Sequence, residues 1–129
     1  MRHGSTILFI AFGFICSSVF AVDVDVEKSM KEERSRPKGR GLEMLGKGGE
    51  LRELADKIIR CYEDAKNSND FLIELKNIIP EKRISLRNVL EKESQFKHIS
   101  IRLPLSYTFI VYFDSDKKEL LNYCIDHNW

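Results

Sequence analysis

The spacing of apolar residues changes once along this chain, and the change limits the folds that are open to it. Before about residue 94, apolar residues recur every three or four positions, and after it they alternate with polar ones. The first spacing is typical of amphipathic helices and the second of strands with one solvated face. The sequence therefore predicts an α+β protein in which N-terminal helices pack on one face of a small antiparallel β-meander.

The helices are predicted in the first half of the folded chain. Residues 50–66 place Leu51, Leu54 and Ile58 on one helical face and charged side chains on the other. A second helix is predicted over residues 71–79, between a turn at 67–70 that can supply an N-cap and Pro80, which ends it. Residues 81–93 fit a helix or a strand, and we favour the helix.

Three strands are predicted after residue 94. Residues 97–103 alternate, and residues 107–113 (YTFIVYF) are almost all aromatic or β-branched, which is typical of a central strand. Leu121, Tyr123 and Ile125 alternate in a returning strand. Asp116 and Glu119 could instead form the capping box of a helix, but the charged residues 114–118 suit a hairpin, so we prefer the strand.

Glycine divides the chain at about residue 50. Five of the seven glycines lie between residues 39 and 49, and none follows Glu50. Residues 22–49 are charged or glycine-rich and offer little apolar surface to offset the entropy of ordering. We therefore predict a flexible arm over residues 22–49 and one α+β domain over residues 50–129. The basic end of the arm is expected to be a plain linker, although it could also bind an acidic surface or be cut by a protease.

The N-terminus resembles an export signal. Arg2 precedes an apolar run at residues 7–15, and small or branched residues at 19–21 suit a cleavage site. We predict a signal peptide over residues 1–21, a mature protein that begins near Val22, and a secreted or periplasmic location. An uncleaved anchor and a lipidated Cys16 are alternatives, but polar residues 16–18 interrupt the apolar run and bulky Ile15 does not suit lipidation. No stable membrane span is expected after cleavage.

The net charge of the chain indicates which class of partner it can bind. The chain has 21 Lys and Arg against 20 Asp and Glu, and removal of Arg2 with the signal leaves 20 against 20. Nucleic-acid-binding domains are usually clearly basic. We therefore expect no specific nucleic-acid partner.

Two cysteines, Cys61 and Cys124, remain after removal of the signal. An even number of cysteines in an exported protein favours a disulfide. We predict a Cys61–Cys124 disulfide that stabilises the domain, with two separate thiols as the alternative.

Few residues suggest catalysis. His98 and His127 are weak candidates for a general base and acid, because nothing in the sequence brings them together. Cys124 and His127 have the spacing of half a metal site, but the disulfide would use the same sulfur. The sequence indicates no cofactor and no metal.

Aromatic residues near the C-terminus favour binding. Tyr112 and Ile110 share the strand face opposite Phe109, and only one face can lie under the helices. That second face and Trp129 are candidate contacts for another protein or an extracellular ligand. We expect a small exported protein that acts by binding, as an interaction protein, inhibitor or secreted effector; the alternative is a secreted hydrolase or nuclease that uses His98 and His127.

Overall fold

A computed structural model describes residues 25–127, so the predicted signal peptide and Trp129 lie outside the described residues. Helix α1 covers residues 25–35 of this part, and a short 3-10 helix follows at Leu42–Leu45. Helices α2 and α3 span Glu50–Asp64 and Ser68–Lys76. After a 3-10 turn at Glu81–Arg83 come four strands: β1 (Ile84–Asn88), β2 (Phe96–Arg102), β3 (Tyr107–Asp114) and β4 (Glu119–His127). The α+β class is confirmed.

Helices α2 and α3 form where the apolar spacing predicts them. The Asn67 side chain accepts a hydrogen bond of 2.9 Å from the backbone N–H of Asp70 and so caps α3. Lys76 is the last helical residue, four positions before Pro80. Within residues 25–127, no helix has the length and apolar character needed to cross a bilayer.

The strands form an antiparallel meander in the order β1-β2-β3-β4. The central position of β3 and the hairpin between β3 and β4 are confirmed. The helix favoured over residues 81–93 is wrong, because Ile84–Asn88 pairs with β2 from Ile84 opposite Ile101 to Asn88 opposite Lys97. Pairing with β2 provides hydrogen bonds for the backbone N–H and C=O groups of this short segment. The sequence of the segment does not indicate that it will pair with β2.

One face of the sheet, which we call the inner face, lies under α2 and α3. Its side chains include Ile99, Ile101, Phe109 and Val111, all of them fully buried. They pack against Ala55 and Ile58 of α2 and against Phe71 and Leu75 of α3 in the main hydrophobic core. The aromatic rings of Phe109 and Tyr123 stack with their centroids 5.5 Å apart.

The opposite face, which we call the outer face, is covered at one end by α1. Val26 and Met30 of α1 pack against Phe96 and Leu121 in a second, smaller core, and Met30 is completely buried. The prediction of a flexible arm is therefore wrong for this helix. The folded unit includes residues well before Glu50, and helices lie on both faces of the sheet instead of one.

A buried side chain joins the end of α1 to the sheet. The amide nitrogen of Asn122, a fully buried residue of β4, donates hydrogen bonds to the carbonyl oxygens of Glu33 (2.9 Å) and Arg36 (3.0 Å). Carbonyls at a helix C-terminus have no partner within the helix, so Asn122 supplies one. The Glu33 carboxylate is also buried, and it accepts hydrogen bonds from the guanidinium groups of Arg36 and Arg40.

The segment after α1 then follows the free edge of β4. Gly39 donates its N–H to the Tyr123 carbonyl (3.0 Å), and the Ile125 N–H donates to the Arg40 carbonyl (2.7 Å). At Gly41 the backbone has a φ of +86°, and a Cβ atom there would lie 2.1 Å from the Ile125 carbonyl oxygen. Only glycine allows this approach, so Gly41 serves close packing against β4.

Candidate binding surface

The part of the outer face that α1 does not cover is the candidate functional site. The register aligns Ser85, Ser100 and Ile110 across β1, β2 and β3, with His98 and Thr108 in the neighbouring rows. We call these five residues the open patch. All five are partly exposed, and Ile110 belongs to neither hydrophobic core. The patch therefore presents an apolar centre surrounded by hydroxyl groups and an imidazole.

Two arginines flank the open patch. Arg87 pairs with His98 across β1 and β2, and Arg102 pairs with Thr108 across β2 and β3; both arginines are exposed. Asp126 of β4, opposite Thr108, is an exposed acid near the patch, and Glu119 at the far end of β4 is paired with Arg34 of α1. Among residues 25–127, neither flanking arginine forms a salt bridge. The β1 and β2 side of the patch is therefore basic.

His98 is held in place within the patch. Its Nδ1 lies 3.0 Å from the Ser100 hydroxyl oxygen, and its ring meets the Tyr112 ring edge-on with the centroids 5.9 Å apart. Burial, and then the nearby positive charge of Arg87, lower the pKa of His98 below its ordinary value. The imidazole is consequently neutral at neutral pH. Because Nδ1 contacts Ser100, Nε2 is the ring nitrogen that can donate or accept a hydrogen bond with a partner, depending on the tautomer.

Tyr112 and Ile110 share the outer face, as the alternation of β3 predicts, but they have different surroundings. The Tyr112 ring packs against Phe96 and the α1 core, and its hydroxyl is 3.9 Å from the Cys124 sulfur. Burial raises the pKa of Tyr112 well above its ordinary value. Tyr112 therefore borders the open patch and partly belongs to the core, whereas Ile110 lies at the patch centre.

The predicted disulfide is absent. Cys61 and Cys124 are both free thiols. Cys61 packs against the main core on the inner-face side, whereas Cys124 lies on the outer face because it follows the inner-face residue Tyr123 in β4. The sheet separates the two sulfur atoms. Burial also raises the pKa of each thiol, which keeps both protonated and weakly reactive at neutral pH.

The two histidines do not form a common site. His98 lies in the middle of β2 on the outer face, whereas His127 ends β4 opposite Tyr107, whose row belongs to the inner face. The ring of His127 stacks on Tyr107, and its Nε2 is 3.1 Å from the Leu105 carbonyl oxygen. In the part of the chain that the structure describes, no three His, Cys, Asp or Glu side chains come close enough to hold a metal.

Sequence reasoning missed one of the two arginines that give the patch its charge. The helix expected over residues 81–93 contains Arg87, and only the pairing of β1 with β2 brings it beside His98. Alternation in residues 97–103 predicts that Arg102 and Ser100 share the strand face of His98, and the register agrees.

Comparisons with models of protein families, with curated proteins and with solved structures found no match to this chain.

Proposed function

We propose that this protein is exported after loss of residues 1–21 and acts by binding another protein through the open patch. The observation that carries the proposal is the partial cover of the outer face, where α1 packs against Phe96 and Leu121 and leaves Ile110 outside both cores. A partly exposed aliphatic residue on a rigid strand, ringed by polar groups, has the arrangement of an interface centre with its rim.

The charged residues around the open patch indicate the charge of the partner's contact surface. Arg87 and Arg102 lack salt-bridge partners among the described residues. His98 is neutral at neutral pH and does not change this positive charge. Arginine is favoured at interfaces because its planar group binds carboxylates through two parallel hydrogen bonds. The partner's contact surface is therefore acidic around an apolar centre.

The hydrolase alternative has less support. It requires His98 and His127 to face one cleft, and the register places them on opposite faces of the sheet. Their ring nitrogens also contact different groups, the Ser100 hydroxyl and the Leu105 carbonyl.

Site-specific photo-crosslinking in the producing cells tests the proposal. A photoreactive amino acid at Ser100 or Thr108 should attach the full-length exported protein to one defined acidic protein, and the same residue at exposed Lys92 in the β1–β2 loop should not. Ile110→Asp should abolish the cross-link, while Lys92→Asp should preserve it. Equal labelling from position 92, or cross-links only to a second copy of this chain, would contradict the proposal.

A further inference from the structure

A cleft beyond one end of the open patch has the composition of an anion site. It has a volume of about 600 Å³ and lies between the Glu81–Arg83 turn, the end of β2 and the start of β3. Three of its lining residues are cationic, three others carry hydroxyl groups, and none is acidic: Lys82, Arg83, Arg102, Ser106, Tyr107 and Thr108. We call this cleft the basic cleft.

The charges of the basic cleft are not neutralised within the described part of the chain. No carboxylate of residues 25–127 forms a salt bridge with Lys82, Arg83 or Arg102. The neighbouring acid, Glu81, pairs instead with Lys76 at 3.6 Å. Like charges gathered without a counter-charge repel one another, so their arrangement favours a bound anion.

The backbone around the basic cleft is fixed at both sides. Arg102 donates one N–H of its guanidinium to the Lys82 carbonyl at 3.2 Å, which joins β2 to the turn and leaves other N–H donors of the group available. On the opposite side, Leu105 and Ser106 both have positive φ angles, 63° and 66°. Non-glycine residues rarely adopt this conformation, and such strain often occurs where a loop contacts a ligand.

Another lysine-containing cleft is a weaker candidate. Its volume is about 490 Å³, and its lining contains four lysines, Lys38, Lys66, Lys117 and Lys118, together with Glu63 and Glu119. The two carboxylates offset half of its positive charge, whereas no acidic residue lines the basic cleft.

We infer that the basic cleft binds a doubly charged oxyanion, which is free phosphate, free sulfate or a phosphate monoester of a small molecule such as a sugar. Three cations match the charge of such a group better than that of a single carboxylate, and arginines bind its oxygens through paired hydrogen bonds. The hydroxyls of Ser106 and Thr108 supply further donors. This inference concerns a ligand different from the protein partner proposed for the open patch. The basic cleft shares Arg102 and Thr108 with that surface, but the inference does not require a protein partner.

Calorimetric and NMR titration of the protein covering residues 22–129 tests the inference. Inorganic phosphate, inorganic sulfate and glucose 6-phosphate should bind and shift the amide signals of residues 102–108, and acetate should bind more weakly. Tighter binding of glucose 6-phosphate than of phosphate would identify an ester as the ligand, and equal binding would identify the free ion.

Charge-removing variants locate the site. Arg83→Gln, which removes no hydrogen bond within the described chain, and Arg102→Gln should each weaken binding about tenfold, and rising salt should weaken it further. Lys92→Gln removes one positive charge from a distant loop and should have no effect. Absence of binding by the unaltered protein at millimolar phosphate, or equal weakening by Lys92→Gln and Arg83→Gln, would overturn the inference.

Discussion

The inner and outer faces of the sheet are built from the same strands, but they are covered to different extents. The inner face is closed by α2 and α3, and its side chains, such as Phe109 and Val111, are fully buried. The outer face is closed by α1 at one end, and Ile110, the neighbour of both these residues, stays partly exposed. Adjacent positions in β3 thus alternate between the buried core and the partly exposed surface. Substitutions at neighbouring positions can therefore separate effects on folding from effects on the proposed binding.

The largest contrast is expected between Phe109 and Ile110. Phe109→Ala should lower the free energy of unfolding by about 3–5 kcal/mol, because it leaves a cavity in a closed core. Ile110→Ala should cost only about 1 kcal/mol, because part of that side chain already meets solvent. Urea denaturation of both variants measures the difference. Similar losses at the two positions would show that the outer face is closed as fully as the inner one.

A smaller effect is expected at the connection between α1 and the outer face. Asn122→Ala removes the hydrogen bonds to the Glu33 and Arg36 carbonyls and the one that its Oδ1 accepts from the Tyr123 N–H, all in a buried setting, which should cost about 1–3 kcal/mol. Amide exchange over residues 25–35 should accelerate more than exchange in β2 and β3, because two of the three lost bonds join the end of α1 to the sheet and none involves β2 or β3.

The exposed residue Asn77 provides the control. Asn77→Ala at the end of α3 should change stability by less than about 0.5 kcal/mol. If residues 25–35 exchanged rapidly in the unaltered protein as well, α1 would not cover the outer face in solution, and the flexible-arm hypothesis would return.

The sequence alone predicts the elements whose residues show a continuous apolar or β-branched pattern. Helix α2 has a continuous apolar stripe and β3 a continuous β-branched and aromatic composition, so both were predicted correctly. Helix α1 was missed because its contacts involve few apolar residues, chiefly Val26 and Met30, and because Glu33 is buried by pairing with two arginines. The stability of α1 depends on its contacts with the sheet and not on an amphipathic pattern in its own sequence.

The candidate site was predictable only in part, and for a similar reason. Alternation within β3 places Ile110 and Tyr112 on the face opposite Phe109, and the register agrees. The contribution of Arg87 depends on the pairing of β1 with β2, which lies outside local sequence information. The disulfide prediction failed because a count of cysteines does not show which face of a sheet each one occupies.

The smallest expected effect concerns the charge state of the outer face. Because burial and Arg87 lower the pKa of His98 in the folded protein, the unfolded chain binds a proton at this residue more readily. The stabilising contribution of neutral His98 is then complete above its ordinary pKa, and it is lost as the pH falls through that value towards the lowered one. NMR titration of the His98 ring, together with urea denaturation between about pH 7 and pH 5, measures this linkage.

Two variants test the cause of the pH dependence. His98→Gln should remove the loss of stability that protonation of His98 causes at low pH. Arg87→Gln should reduce it, because the nearby positive charge is the second cause of the shift, and an unchanged His98 titration in Arg87→Gln would show that the two side chains do not interact across the open patch.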